Sequence, residues 1–102
     1  MSTRHKMEFA YQMGKYSSAS IGQCQRLIRL AATHCRIETE LTNGYKTRTG
    51  EWDAVATVCA NAKRNRVDAK MEAIASEAGC RIEYGALTVR VVFADGREAG
   101  IP

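Results

Sequence analysis

Between Ser20 and Gly44, apolar side chains recur every three or four residues, which is the spacing of an α-helix. Ser20 and Gln23 have the form of a capping box at the start, and Asn43-Gly44 is a typical helix end. The apolar arc covers half of the circumference or more, so we expect this helix to be the central element of the fold or part of an oligomer interface. The arc contains Leu27, Leu30, His34, Ile37 and Leu41, continued by Ile21, Cys24, Ile28, Ala31 and Cys35.

A second helical pattern begins at Glu51 and ends near Gly79, the expected C-terminal cap. Its apolar positions fall in two groups that are five residues out of step, separated by Lys63–Arg66. Because no Pro or Gly interrupts the pattern, we favour one continuous helix whose buried stripe rotates, over two helices that meet at a basic elbow. The first group is Trp52, Val55, Cys59 and Ala62, and the second is Val67, Met71, Ile74 and Ala78.

Two alternating stretches follow, Cys80–Tyr84 and Leu87–Phe93, and Gly85-Ala86 between them allows a turn. Alternation of apolar and polar residues around such a turn predicts a β-hairpin. Asp95-Gly96 predicts a further turn, and we expect the tail through Pro102 to be loosely held.

The N-terminal stretch also alternates, with Met7, Phe9, Tyr11 and Met13 at every second position. This pattern favours a half-buried strand, although a short helix, or an arm on a partner subunit, would use the same side chains. The predicted fold class is therefore α+β, with two main helices packed on a short antiparallel hairpin. Residues 20–102 would form the domain, and residues 1–19 an N-terminal strand or arm and a connector.

The composition fits one soluble domain, since 45% of the 102 residues are hydrophobic and 25% are charged. No apolar run approaches the roughly 18 to 20 residues of a membrane span, and Met1–Lys6 is polar and basic, so we expect a cytoplasmic protein without membrane contact. A chain this short has little room for a large catalytic cleft, and self-association is a favourable way to bury more surface. We therefore expect a homo-oligomer.

The four cysteines, Cys24, Cys35, Cys59 and Cys80, include no CxxC or CxxxC pair. That spacing argues against a structural zinc site and favours reduced thiols, most of them buried. We predict no metal and no other cofactor.

The net charge of +4 favours acidic partners, and ten of the fifteen basic residues are arginine, which suits bidentate contacts with carboxylates or phosphates. A solvated helix face explains the same residues, and the chain lacks the aromatic interleaving and motifs of known nucleic-acid binders. An acidic protein surface, or an acidic ligand sequestered by the same arginine-rich face, is therefore the first expectation and nucleic acid the alternative. The predicted partner-binding residues are Arg26, Arg29, Arg36, Lys63, Arg64 and Arg66.

His34 and Glu38 lie one helical turn apart inside the apolar arc, so a buried polar pair is predicted. In a functional interpretation they act as an acid/base or metal-ligand pair, with Asp53 or Cys59 as a further ligand. In a structural interpretation, Glu38 hydrogen-bonds His34, a tyrosine, or an arginine across a subunit interface. No nucleophile elbow or phosphate-binding loop is present, so we predict no catalytic residues and no enzyme activity.

Four segments carry a resemblance to a known group of proteins: Arg26–Ala31, Cys35–Glu38, Asn43-Gly44 and Ile74–Ile82. Over roughly residues 24–93 the chain resembles small uncharacterised accessory proteins encoded by bacteriophages and prophages. It departs from them in the loop Tyr45–Gly50 and in carrying Trp52 and Cys59. The resemblance implies two helices followed by a hairpin, and a host-takeover role, including inhibition of bacterial defence systems. It carries no catalytic motif, so this functional step is an analogy.

Overall fold

The computed structural model describes residues 3–102, in which three α-helices precede a three-stranded antiparallel sheet of order β1-β2-β3. The α+β class predicted from the sequence is confirmed. The predicted N-terminal segment includes Met1 and Ser2, which lie outside the described residues. The elements are α1 (Thr3–Tyr16), α2 (Ile21–Asn43), α3 (Ala54–Glu77), β1 (Arg81–Gly85), β2 (Thr88–Val92) and β3 (Glu98–Gly100).

Helix α2 is the central element, as one of the two sequence interpretations held, because it contacts α1, α3 and β2. Its start is fixed by the predicted capping box, in which Ser20 Oγ accepts from the Gln23 N–H at 3.1 Å and Gln23 Oε1 accepts from the Ser20 N–H at 2.8 Å. It ends at Gly44, whose φ of 81° suits glycine. Both predicted ends are therefore confirmed.

Helix α3 is continuous, as predicted, although it begins at Ala54 rather than at Glu51. Asp53 caps its first turn, because the Asp53 carboxylate accepts the Ala56 N–H at 2.9 Å. The helix stops just before Gly79, whose φ is 82°. The second apolar group, from Val67 to Ala78, lies in the core.

The favoured strand at the N-terminus is wrong, because residues 3–16 form α1. A strand would place Met7, Phe9, Tyr11 and Met13 on one face, whereas only Phe9 and Met13, four residues apart, are buried. Met7 and Tyr11 lie on the opposite side in solvent. The missing β-branched residues in this stretch agree with a helix. Phe9 and Met13 belong to the same core cluster as α2, α3 and the sheet.

The predicted hairpin is confirmed, with Ile82 opposite Val91 and Tyr84 opposite Val89. The expectation of a loosely held tail is wrong, because Glu98–Gly100 adds a third strand to β2. Ala99 is buried opposite Val91, and the Ile101 N–H donates to the Val89 carbonyl at 2.9 Å. The free edge of β2 thus gains backbone partners.

Charged side chains flank the sheet around Glu83, which accepts hydrogen bonds from Arg81 and Arg90. These two guanidinium groups lower the pKa of Glu83. Arg90 Nε also lies 3.3 Å from the carboxylate of Glu98, so β1, β2 and β3 are linked by one charged network.

Candidate functional site

The outer half of the α2–α3 pair extends beyond the core. The core cluster takes no residue of α2 after Cys35 and no residue of α3 before Val67. Of residues 36–66, all of which the structure describes, only Ile37 and Ala60 are buried. The molecule is correspondingly elongated, at 51 × 26 × 22 Å. Helices α2 and α3 form a helical hairpin, and we call its outer end, residues 36–66, the hairpin tip.

A shallow groove of about 290 Å³ lies between the two helices of the hairpin tip. Arg36 of α2 and Lys63 of α3 both line it, so the structure brings together two of the predicted partner-binding residues. Tyr45 and Cys59 also line the groove. The two cations are exposed, and neither has an ion-pair partner within residues 3–102.

Arg26 and Arg29 extend the positive charge along α2. Arg29 precedes Arg36 by seven residues, close to two full helical turns, so both lie on the same side of α2. Arg26 and Arg29 are exposed and, like Arg36, unpaired among the described residues. We define the basic face as Arg26, Arg29, Arg36 and Lys63.

Arg64 does not belong to this surface, in contrast to the sequence prediction. Its guanidinium donates to Glu38 Oε1 at 2.8 Å, and both side chains are about 70% buried between α2 and α3. Arg64 therefore neutralises a carboxylate of its own chain. Arg66 is exposed and unpaired among residues 3–102, but it lies about 60° further round α3 than Lys63.

The predicted pairing of His34 with Glu38 is wrong, because each side chain reaches across to α3 instead of along α2. His34 Nδ1 lies 2.6 Å from Asp68 Oδ1, while Glu38 pairs with Arg64. The sequence places His34 and Glu38 four residues apart but does not show that α3 supplies a closer partner for each. The structural interpretation named an arginine for Glu38, and that arginine belongs to the same chain.

Tyr84 of β1 covers the His34–Asp68 pair. The His34 and Tyr84 rings stack with centroids 4.9 Å apart, and the Tyr84 hydroxyl donates to Glu72 Oε1 at 3.0 Å. Burial and the neighbouring charges of Asp68 and Glu72 raise the pKa of Tyr84, so its hydroxyl stays protonated. This network joins α2, α3 and β1.

The His34 network offers neither a nucleophile nor a metal site. No Ser, Thr or Cys side chain within residues 3–102 hydrogen-bonds His34. Across the same range no group of three or more His, Cys, Asp or Glu side chains is arranged to hold a metal ion. Of the two further ligands considered from the sequence, Asp53 caps α3 and Cys59 lies in the groove.

The groove also contains Tyr45, which is not among the predicted partner-binding residues. The Tyr45 hydroxyl donates to Glu40 Oε2 at 2.8 Å, and this bond raises the pKa of Tyr45. Glu40 also lines the groove but forms no ion pair with Arg36 one turn earlier within residues 3–102, although their spacing allows one.

The most unexpected surface is the first apolar group of α3, which is exposed rather than buried. Trp52 and Val55 are 63% and 75% exposed, Cys59 and Ala62 are exposed as well, and Val58, which is not in the predicted group, is 68% exposed beside them. We call these five residues the apolar stripe. The five-residue phase shift is the sequence signal for it, because five residues rotate a helix face by about 140° relative to the buried group.

The four thiols differ in exposure, and all are free. Burial raises the pKa of Cys24, Cys35 and Cys80, which keeps these three thiols protonated. Cys24 is buried, Cys35 and Cys80 are half-buried and Cys59 is exposed, so the expectation that most of the thiols are buried is wrong.

Comparisons with protein-family models, curated proteins and solved structures give no significant match. Within residues 3–102, no helix has the length and apolar character needed to cross a membrane. The proposal of a function therefore depends on the exposed side chains of the basic face and of the hairpin tip.

Proposed function

We propose that this chain is a non-enzymatic binding protein whose basic face attaches to an acidic surface of a host macromolecule. The observation that carries the proposal is a set of four exposed cations, Arg26, Arg29, Arg36 and Lys63, without ion-pair partners among the described residues. Of the seven other arginines, Arg4, Arg64, Arg81, Arg90 and Arg97 are paired with carboxylates, whereas Arg48 and Arg66 are exposed and without an ion-pair partner within residues 3–102.

A protein surface is the favoured partner, because Tyr45 lines the same groove as Arg36 and Lys63. Aromatic and arginine side chains are enriched in protein interfaces, and they dominate binding energy when buried there. The resemblance to phage accessory proteins supports a setting in the bacterial cytoplasm, with a host protein, including a component of a defence system, as the target.

Nucleic acid is the second candidate, since phosphates would satisfy the same four cations. Binding to nucleic acid predicts that the affinity falls steeply as the salt concentration rises. Four phosphate contacts give a slope of log affinity against log salt of about −3.6 on duplex DNA.

The test is a charge reversal at the groove, Arg36→Glu with Lys63→Glu, compared with a control that makes the same net charge change on α1, Lys6→Glu with Lys15→Glu. All four positions are exposed, so both variants should fold, which circular dichroism verifies. Each tagged protein is used to capture material from bacterial lysate, half of it treated with nuclease, and capture is quantified by mass spectrometry.

We expect a nuclease-resistant host protein whose capture falls at least tenfold with the groove variant but not with the α1 control. Equal capture by wild type and groove variant would eliminate the basic face as the binding surface. Nuclease-sensitive capture, together with the steep salt slope on purified duplex, would select the nucleic-acid alternative.

A further inference from the structure

The apolar stripe lies between two charged ends of opposite sign. Val55, Cys59 and Ala62 of α3 follow one another at intervals of four and three residues, the spacing of a helix–helix contact seam, and Trp52 lies just before the helix begins. Arg66 continues the same spacing at one end, and Glu51 precedes Trp52 at the other. Both charged side chains are exposed, and neither has an ion-pair partner within residues 3–102.

From this arrangement we propose that the stripe is a homodimer contact, in which the α3 helices of two copies pack antiparallel about a two-fold axis near Val58 and Cys59. Glu51 and Arg66 are equally distant in sequence from that point. Antiparallel pairing therefore brings Arg66 of each copy to the Glu51–Trp52 end of the other. A two-fold contact uses the same patch on both copies, which requires this self-complementarity.

The charge pattern distinguishes this packing from a parallel one. Parallel α3 helices in register would place Arg66 against Arg66 and Glu51 against Glu51, and like charges in contact are unfavourable. In the antiparallel arrangement an unpaired guanidinium meets an unpaired carboxylate, and Trp52 offers its ring face to the same cation. Arg26, Arg29 and Arg36 of the basic face lie on α2, outside this contact, whereas Lys63 borders it, because Cys59 and Lys63 both line the groove.

The size of the apolar stripe determines how strong a dimer we expect. Within α3 the contact runs from Val55 to Arg66, roughly 16 Å of helix, and Trp52 extends it just before the helix begins. Such a contact belongs to the small end of specific interfaces, so we expect a dissociation constant in the micromolar range rather than the nanomolar range. The relevant concentrations are therefore about 10 to 200 μM.

The first measurement is mass by light scattering after size exclusion over that range, with the full chain. We expect the mass to rise toward twice the 11.3 kDa of one chain. A mass of one chain at the highest concentration would overturn the proposal.

Placing a carboxylate in the apolar stripe tests whether the stripe is the dimer contact. Val58→Asp should raise the dissociation constant at least tenfold, while Ile21→Asp, a matched change at an exposed apolar position of α2, should leave it unchanged. Dimerisation lost with Ile21→Asp and retained with Val58→Asp would move the contact to the α1–α2 end and refute the stripe. Circular dichroism shows whether each variant is folded.

Two further readouts test the antiparallel register. Arg66→Glu should weaken the dimer, and adding Glu51→Arg should restore it, because the exchanged charges still face each other. A short bismaleimide should link two copies through Cys59, and Cys59→Ser should abolish the linked product. Failure of the charge exchange to restore the dimer, or linking that persists without Cys59, would exclude this geometry.

Discussion

Replacing Asp68 by alanine removes the acceptor for the most buried polar side chain of the chain's described part. His34 is 5% exposed at its side chain and Asp68 is 19% exposed, with Nδ1 and Oδ1 2.6 Å apart. Asp68→Ala leaves the ring nitrogen in a site that water barely reaches. The stack with Tyr84 covers the ring from the sheet side and blocks a simple rotation toward solvent.

The expected cost follows from the loss of one partner in a buried bond to a charged group, about 1.5 to 3 kcal/mol. Asp68→Asn keeps the shape and a neutral acceptor, and neutral bonds are roughly half as strong, so it should cost about 1 kcal/mol. The free energy of unfolding of domains of this size is about 5 to 15 kcal/mol, so Asp68→Ala should remove a large part of it. The melting temperature should fall by roughly 10 °C.

Urea denaturation followed by far-UV circular dichroism measures these costs, provided that the dependence on urea is the same in each variant. The matched control is Glu72→Ala, one turn along α3, which removes the exposed bond from Tyr84 and should cost less than about 1 kcal/mol. If Asp68→Ala costs no more than Glu72→Ala, the His34–Asp68 contact does not hold α2 against α3, and the reasoning fails.

Three further changes test the local structure by urea denaturation. Arg64→Glu places two carboxylates together and should lower the free energy of unfolding by about 1 kcal/mol. Adding Glu38→Arg should recover most of this loss, and no recovery would disprove the Arg64–Glu38 pairing. Gly44→Ala should destabilise the protein by roughly 1 to 3 kcal/mol, because Gly44 has a positive φ. Gly22→Ala, at an exposed position of α2, should stabilise the protein by about 0.5 to 1 kcal/mol. Equal effects of the two changes would contradict the backbone conformation of Gly44. The two guanidinium groups that lower the pKa of Glu83 stabilise its ionised form in the folded state, so that contribution is present above the ordinary pKa of about 4.3 and is lost as the pH falls through the lowered value. Wild type should therefore lose more stability than Glu83→Gln on acidification, and parallel pH profiles would disagree with this.

The sequence by itself determined the elements whose signals are local. The Ser20–Gln23 capping box, Gly44 and the unbroken pattern of α3 depend on neighbours within one or two turns, and the structure has them as predicted. The hairpin follows from alternation around Gly85-Ala86. For α1 the local signal was ambiguous, because Met7, Phe9, Tyr11 and Met13 alternate as in a strand, and only packing shows that Phe9 and Met13 alone enter the core.

The tertiary structure decided which polar groups meet and which apolar groups stay exposed. His34 and Glu38 are neighbours on α2, but each finds its partner on α3, 34 and 26 residues away in sequence. Arg64 is unavailable to a partner molecule and Arg36 is available to one for the same reason, since only the packing of α2 on α3 determines which cation faces a carboxylate. The exposure of Trp52, Val55 and Val58 likewise depends on where the core ends, because a periodic pattern marks an apolar face but not the element that covers it.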